Sequence, residues 1–254
     1  MDLGLHNKVA VIGASSKGLG KACALAMARE GAHVVICGRM DNILTAAHDE
    51  IEEAGPGECI AVQADLADPH GQRAVIDSTI AEFGHADILV TNTGGPPPGI
   101  FEHHDPAAWD AAYRLLLASA VGMIKGVLPG MKKNRWGRII GITSQAVKQP
   151  VDNLILSNTM RAGVTALLRS RANELGPDGI TVNSVLPGYH DTDRLKALLG
   201  GEENYGAVTG DIPLGRVGDP AEFADMVTFL ASDRASYVTG QAIAVDGGWI
   251  KGLI

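Results

Sequence analysis

The sequence predicts an α/β protein: one domain built on a seven-stranded parallel sheet with helices on both faces. Three observations carry the prediction. Short Val- and Ile-rich runs alternate with longer helical periodicities along all 254 residues, the pattern of a doubly wound sheet. The short runs do not alternate strictly between apolar and polar, as expected of strands buried on both faces. No repeat, low-complexity tract or linker divides the chain, so a single domain over 1–254 is expected.

In chain order, strands are expected over 8–12, 33–37, 59–63, 88–91, 138–142, 181–186 and 242–245. Helices are expected between them over 19–29, 42–54, 71–83, 109–132, 158–175 and 221–231. The stretch 191–215 breaks this rhythm with Leu-rich turns, Gly200-Gly201 and an acidic pair. It follows the C-terminal end of a strand, where open α/β sheets bind ligands. It therefore reads as a substrate lid, with a surface excursion without function as the alternative.

Composition narrows the function. Acids outnumber Lys plus Arg by 29 to 21, a net charge of −8, so the basic surface that nucleic-acid binding needs is missing. The longest uncharged apolar stretch of interest, 115–124, is about half of a membrane span. Glycine is abundant at 32 residues and aromatics supply only 4%, which suits tight turns rather than an aromatic-rich β-sandwich. Cys23, Cys37 and Cys59 match no metal or CxxC spacing, and His103-His104 lack a third ligand, so no metal site is expected. The N-terminal residues run into a glycine loop without a cleavable signal pattern. A cytoplasmic protein with ordinary core thiols and a small-molecule substrate is the expectation.

The first strand ends Val9-Ala10-Val11-Ile12 and continues through Gly13-Ala14-Ser15-Ser16-Lys17-Gly18-Leu19-Gly20 into a helix of Ala, Leu and Met. Glycine removes the Cβ that would block a pyrophosphate, and the helix N-terminus turns free amides toward it. This is the dinucleotide-binding unit of a Rossmann fold, with a bare tight turn as the alternative. Strand two ends Ile36-Cys37-Gly38-Arg39, with no acid to bond an adenosine ribose 2′-hydroxyl. A guanidinium there matches a 2′-phosphate, and Lys17 offers a second charge, so NADP(H) is the expected cofactor.

From these residues onward the sequence resembles the short-chain dehydrogenase/reductase family over nearly its whole length. Ala14-Ser15-Ser16-Lys17-Gly18-Leu19-Gly20 aligns with the family's glycine motif, with Ala14 where the first glycine usually sits. Asp65-Leu66 resembles the pair that contacts the adenine ring. Asn92-Thr93-Gly94 resembles the end of the strand-four motif, and Asn183, Pro187-Gly188 and Thr192 the stretch after strand six, whose threonine binds the nicotinamide carboxamide. Val245-Asp246-Gly247-Gly248 is similar to the C-terminal signature of members related to 3-oxoacyl-carrier-protein reductases. The resemblance implies that Gly13, Ser15, Ser16, Lys17, Gly18, Leu19, Arg39, Asp65, Leu66, Asn92, Gly94, Pro187, Gly188 and Thr192 bind the cofactor. It also implies a homotetramer built through the helices expected over 109–132 and 158–175 and the C-terminal region. The apolar run 249–254 fits that interface, or a fold back onto its own subunit.

The family's usual catalytic set is asparagine, serine, tyrosine and lysine, and the match here is partial. Ser144 supplies the serine. The tyrosine position, thirteen residues on, holds Ser157; the lysine position, four beyond that, holds Arg161; the asparagine position holds Leu116. A serine hydroxyl is a far weaker acid than a phenol, whose pKa is about 10, so Ser157 is no simple substitute and also reads as a helix N-terminal cap. Arg161 keeps a positive charge but stays protonated, which suits binding ribose or an anionic substrate group; an ion pair internal to the fold is the rival reading. Leu116 reads as a core residue. His190, Tyr189 and Lys148 are candidate replacement acids that also fit surface or packing roles. Gly94-Gly95-Pro96-Pro97-Pro98-Gly99 reads as a stiff wall beside the nicotinamide.

The expected function is NADP(H)-dependent oxidoreduction of a carbonyl/alcohol pair with a non-standard proton donor. Ser144 would polarise the substrate oxygen, Arg161 would hold ribose or substrate, and His190, Tyr189 or water would be the acid. A lyase, dehydratase or isomerase on the same fold stays open, as does an inactive cofactor-binding protein. Halohydrin dehalogenases resemble the same family and carry the arginine, but they keep the tyrosine and abandon the cofactor loop, the reverse of this sequence.

Overall fold

The computed structural model describes residues 2–253; Met1 and Ile254, the outer ends of the expected domain, lie outside the described residues. Seven strands form one parallel sheet: β1 (Val9–Ile12), β2 (His33–Gly38), β3 (Cys59–Gln63), β4 (Ile88–Thr91), β5 (Gly137–Ile142), β6 (Ile180–Pro187) and β7 (Ala242–Val245). Their order is β3-β2-β1-β4-β5-β6-β7. β1 therefore pairs with both β2 and β4, and the chain reverses its direction of travel there. That reversal opens a crevice at the strands' C-terminal ends, where doubly wound folds bind ligands.

Alternate residues of each strand feed two separate cores, one on each face. Ala10, Ile12, Val34 and Ile36 pack on one side against α1 (Gly18–Arg29), α2 (Asp41–Glu52) and, farther along the chain, α9 (Pro220–Ala231), with Phe223 fully buried among them. Val9, Val11, Val35 and Leu89 pack on the other against α3 (Pro69–Phe83), α5 (Ser119–Asn134) and α6 (Ile155–Leu175). Burial on both faces is why the strands lack polar alternation.

Several helices begin earlier than periodicity alone indicates, because their caps lie outside the apolar pattern. Asp68 accepts from the His70 amide at 2.8 Å and starts α3 at Pro69. Asp105 accepts from the Ala108 amide at 2.8 Å and starts α4 (Pro106–Tyr113) at its proline. Asp219 and Glu222 form a reciprocal capping box at the start of α9.

The helix expected over 109–132 is three pieces. A π-helical turn, Arg114–Ala118, joins α4 to α5, and Ser119 Oγ donates back to the Leu115 carbonyl at 2.5 Å. Such turns insert a residue into a helix and cluster at functional sites. The combined helix is long and apolar enough to cross a bilayer by length and composition, which counting uncharged residues missed because Arg114 and Lys125 interrupt the run. Its inner stripe, Met123, Ile124, Val127 and Met131, is buried against the sheet.

The stretch 191–215 is helical in part: α7 (Asp193–Leu199) and α8 (Gly206–Thr209). In the C-terminal run, Trp249 is buried edge-on against Tyr189 with ring centroids 5.9 Å apart, whereas Leu253 is exposed.

Candidate active site

The glycine loop is shaped by close approach. A Cβ on Gly13 would lie 2.4 Å from the Asn92 carbonyl oxygen, and one on Gly20 would lie 2.5 Å from that of Ala14. Ser15 is buried; its Oγ donates to the Ile12 carbonyl at 2.6 Å and accepts from the Cys37 amide at 3.0 Å. Gly13 and Ser15 thus build the loop from behind. Every other residue expected to hold the cofactor lines a single cleft of about 540 Å³, within the usual range for small-molecule sites.

That cleft runs from the β2 tip past the glycine loop to the end of β5. Arg39, at the β2 tip, is exposed and forms no ion pair among the described residues. An unpaired guanidinium at one end of a cleft that passes a glycine loop and a helix N-terminus fits a phosphorylated dinucleotide. Lys17 is engaged instead with Asp193 at the start of α7, 3.2 Å away. Asn92 Nδ2 donates to the Ala14 carbonyl at 3.3 Å, and Asp65 accepts from the Ala67 amide at 2.9 Å. Thr192 caps α7, accepting from the Leu195 amide at 3.3 Å. Asn183 lies elsewhere: its amide donates to the Val238 carbonyl at 2.8 Å and accepts from the Gln241 amide at 3.0 Å, tying β6 to the approach to β7.

At the other end, Ser144, Ser157, Arg161 and His190 all line the same cleft. Ser144 Oγ accepts from the Ala146 amide at 3.1 Å, which leaves its own proton unengaged among the described residues. Ser157 sits inside the first turn of α6 and is not its cap; Leu154 precedes the helix. Its Oγ accepts from Arg161 Nε at 3.2 Å. Arg161 Nη1 donates to the carbonyls of Ile142, at 3.1 Å, and Thr143, at 2.8 Å, which straps α6 to the end of β5. Burial, then the neighbouring Arg194 charge, pull the Arg161 guanidinium down to about 10, so it stays charged at neutral pH.

The three candidate acids differ. His190 is buried with its ring edge-on to Phe223, centroids 5.4 Å apart, and close enough to Gly218 that a Cβ there would lie 2.8 Å from the ring. Burial pushes its pKa below the ordinary value, favouring the neutral ring. Tyr189 is half-buried on the cleft, and burial followed by Asp211 raises its pKa. Lys148 is exposed and lies off the cleft.

Leu116 is buried beside a small interior cavity of about 20 Å³, bordered by Thr91, Thr143 and Arg161. The hydroxyls of Thr91 and Thr143 have no partner there, and the space suits one water molecule. His48, Glu52 and Cys59 also cluster, at the β3 edge, but His48 Nε2 meets the Cys59 carbonyl at 3.0 Å and Glu52 accepts from the Cys59 amide at 2.5 Å. Burial pushes the Cys59 thiol up to about 12.

Gln145 and Arg194 are among the cleft residues that escaped the sequence reading. Gln145, just after Ser144, is buried with Oε1 unpartnered. Arg194, just after Thr192-Asp193, reaches the wall beyond β4, where Nη2 donates to the Pro96 carbonyl at 2.8 Å. An arginine two residues past the threonine was a readable signal.

Residues 13–250 match the family described as enoyl-(acyl carrier protein) reductase. The chain is 36% identical over 248 residues to 3-oxoacyl-[acyl-carrier-protein] reductase FabG of Vibrio cholerae, covering 97% of this chain and 98% of that one. It is 30% identical over 259 residues to the NADPH-dependent reductase BacG of Bacillus subtilis, covering 98% and 100%. In structure it is similar to L-sorbose reductase from Gluconobacter frateurii complexed with NADPH and L-sorbose, with a TM-score of 0.94, 34% identity and full coverage of both chains.

Proposed function

The chain belongs to the enoyl-(acyl carrier protein) reductase family of short-chain dehydrogenase/reductase proteins, and from that premise we propose that it is an NADP(H)-dependent oxidoreductase of a carbonyl/alcohol pair. The observation that carries this reading is one cleft that joins the glycine loop and unpaired Arg39 to Ser144 and Arg161. The NADPH bound by the sorbose reductase and named for the Bacillus relative supports it.

When bound, NADPH supplies a hydride to the carbonyl carbon, and one proton completes the alcohol. Ser16, Lys17, Gly18 and Leu19 would hold the pyrophosphate, Arg39 the 2′-phosphate, and Asp65 and Leu66 the adenine. The free Ser144 hydroxyl donates a hydrogen bond to the substrate oxygen and polarises the carbonyl. Arg161, held rigid by Ser157 and two carbonyls, stabilises negative charge developing on that oxygen, and such preorganised charge is worth most where water is thin. Ser157 is a positioning residue. The proton that completes the alcohol comes from His190, Tyr189 or cleft water; burial favours the neutral form of His190 and raises the Tyr189 phenol.

The segment 191–215 acts as a lid, with Lys17 linking α7 through Asp193 to the bound phosphate. The exposed sides of α4, α5 and α6, together with the C-terminal strand region, serve as the faces of a cytoplasmic homotetramer, which light scattering tests directly. The lack of a phenol at position 157 favours a second reading, non-redox chemistry or cofactor binding without turnover. Titration with NADPH and NADH, then a carbonyl screen, decides between them. Tight NADPH-selective binding with substrate-dependent NADPH oxidation supports the first, whereas binding without oxidation selects the second.

A further inference from the structure

Two guanidiniums face the substrate end of this cleft, away from Arg39 at the β2 tip, and neither pairs with a carboxylate among the described residues. Arg161 commits Nε and Nη1 to Ser157 and two backbone carbonyls, leaving Nη2 without a protein partner. Arg194 spans from α7 to the opposite wall, where it lies flat on Gly95: a Cβ there would meet its guanidinium at 2.6–3.0 Å. Its one hydrogen bond among the described residues is to the neutral Pro96 carbonyl. The two acids on the cleft wall are committed elsewhere, Asp193 to Lys17 and Asp65 to the Ala67 amide.

Charge accounting then narrows the substrate. Two positive charges sharing one partly desolvated space repel each other, and burial raises the cost of leaving them uncompensated. A neutral ketone offers negative charge only transiently, on the reacting oxygen beside Arg161. A second, permanent anion balances the remaining guanidinium, and the planar fork of arginine matches a carboxylate. We propose that the substrate is an oxo acid, or the corresponding hydroxy acid, whose carboxylate is held by Arg194 while its carbonyl oxygen meets Ser144 and Arg161. The inference rests on the carbonyl-reductase reading above.

A binding test separates the two ideas. Calorimetric titration of the protein saturated with NADP+ compares benzoate with benzamide, probes of matched shape and different charge. Benzoate is expected to bind about tenfold tighter or more, a preference that Arg194→Met and Arg194→Gln both abolish with the melting temperature preserved. Equal affinity for the two probes, no benzoate binding in the millimolar range, or a preference that survives both variants overturns the proposal. So does a variant whose sole defect is weaker NADP+ binding, because Arg194 would then serve the cofactor. In turnover, levulinate is expected to show a lower KM than methyl levulinate. If neutral ketones consume NADPH without any benzoate preference, the reductase reading stands and the anion subsite falls. If benzoate is preferred but no carbonyl is reduced, the subsite stands and the reductase reading falls.

Discussion

Arg161 reaches back one turn of α6 to Ser157, its Nε donating to the serine Oγ at 3.2 Å, while Nη1 is anchored on the Ile142 and Thr143 carbonyls. The two residues form one unit in which serine orients arginine. An aliphatic hydroxyl is a poor acid even beside a cation, and a guanidinium so placed holds charge rather than passing a proton.

Arg161→Met is therefore expected to weaken both turnover and the fold. It leaves two carbonyls and a buried serine oxygen without their donor, at a cost of roughly 1–3 kcal/mol. Urea unfolding measures that loss. Arg161→Lys keeps the charge but not the fork, so kcat should fall even where stability is partly recovered. Equal kcat in wild type and the lysine variant would remove the guanidinium from the mechanism.

Arg39→Ala should weaken NADPH binding about tenfold or more and leave NADH nearly unaffected, because the exposed guanidinium has no ion-pair partner to lose. Fluorescence titration with the two nucleotides reads the ratio. An equal loss for both would place Arg39 on a feature that the nucleotides share.

Ala14 occupies the position where the resemblance places a glycine, and its φ is +44°, a left-handed conformation that a Cβ disfavours. Ala14→Gly relieves that strain but gives the unfolded chain more freedom. A net gain on the order of 1 kcal/mol is expected from guanidinium unfolding. A net loss would mean that the alanine methyl packs productively.

Stability should fall on mild acidification through His190. Burial holds its folded pKa below the ordinary 6.5, so below that pH the unfolded chain takes up a proton that the folded chain refuses. The loss begins as pH drops beneath 6.5 and levels off once the folded pKa is passed. Glu222, held near 2 by Arg216 and the Asp219 amide, adds a separate loss at lower pH, beginning near 4.5. His190→Asn should flatten the first slope and spare the second, as followed by thermal melts across pH. An unchanged slope would assign the effect to another group.

Strand and helix order, the glycine loop and Arg39 were legible in the sequence, because they depend on residue type at fixed spacing along one segment, and Ser144 and Arg161 were placed by the family resemblance. The apolar runs at β1 and β2 also announced burial on both faces, and parallel strands between helices require that. Helix starts were harder to place: caps such as Asp68 and Asp105 act one residue outside the apolar pattern. The same spacing could not reveal that Ser15 faces inward, that Asn183 ties β6 to the approach to β7, or that Ser157 and Arg161 bond to each other rather than stand as acid and base.

Those outcomes, and the placing of Arg194 across from Arg161, belonged to tertiary structure alone. Residues 98 positions apart, Arg194 and Pro96, meet only because β4 and β6 end on the same edge of the sheet and α7 folds over it. Periodicity reports which face of an element is buried. It carries no information about which distant polar group shares a cavity, because that depends on the packing of several elements at once.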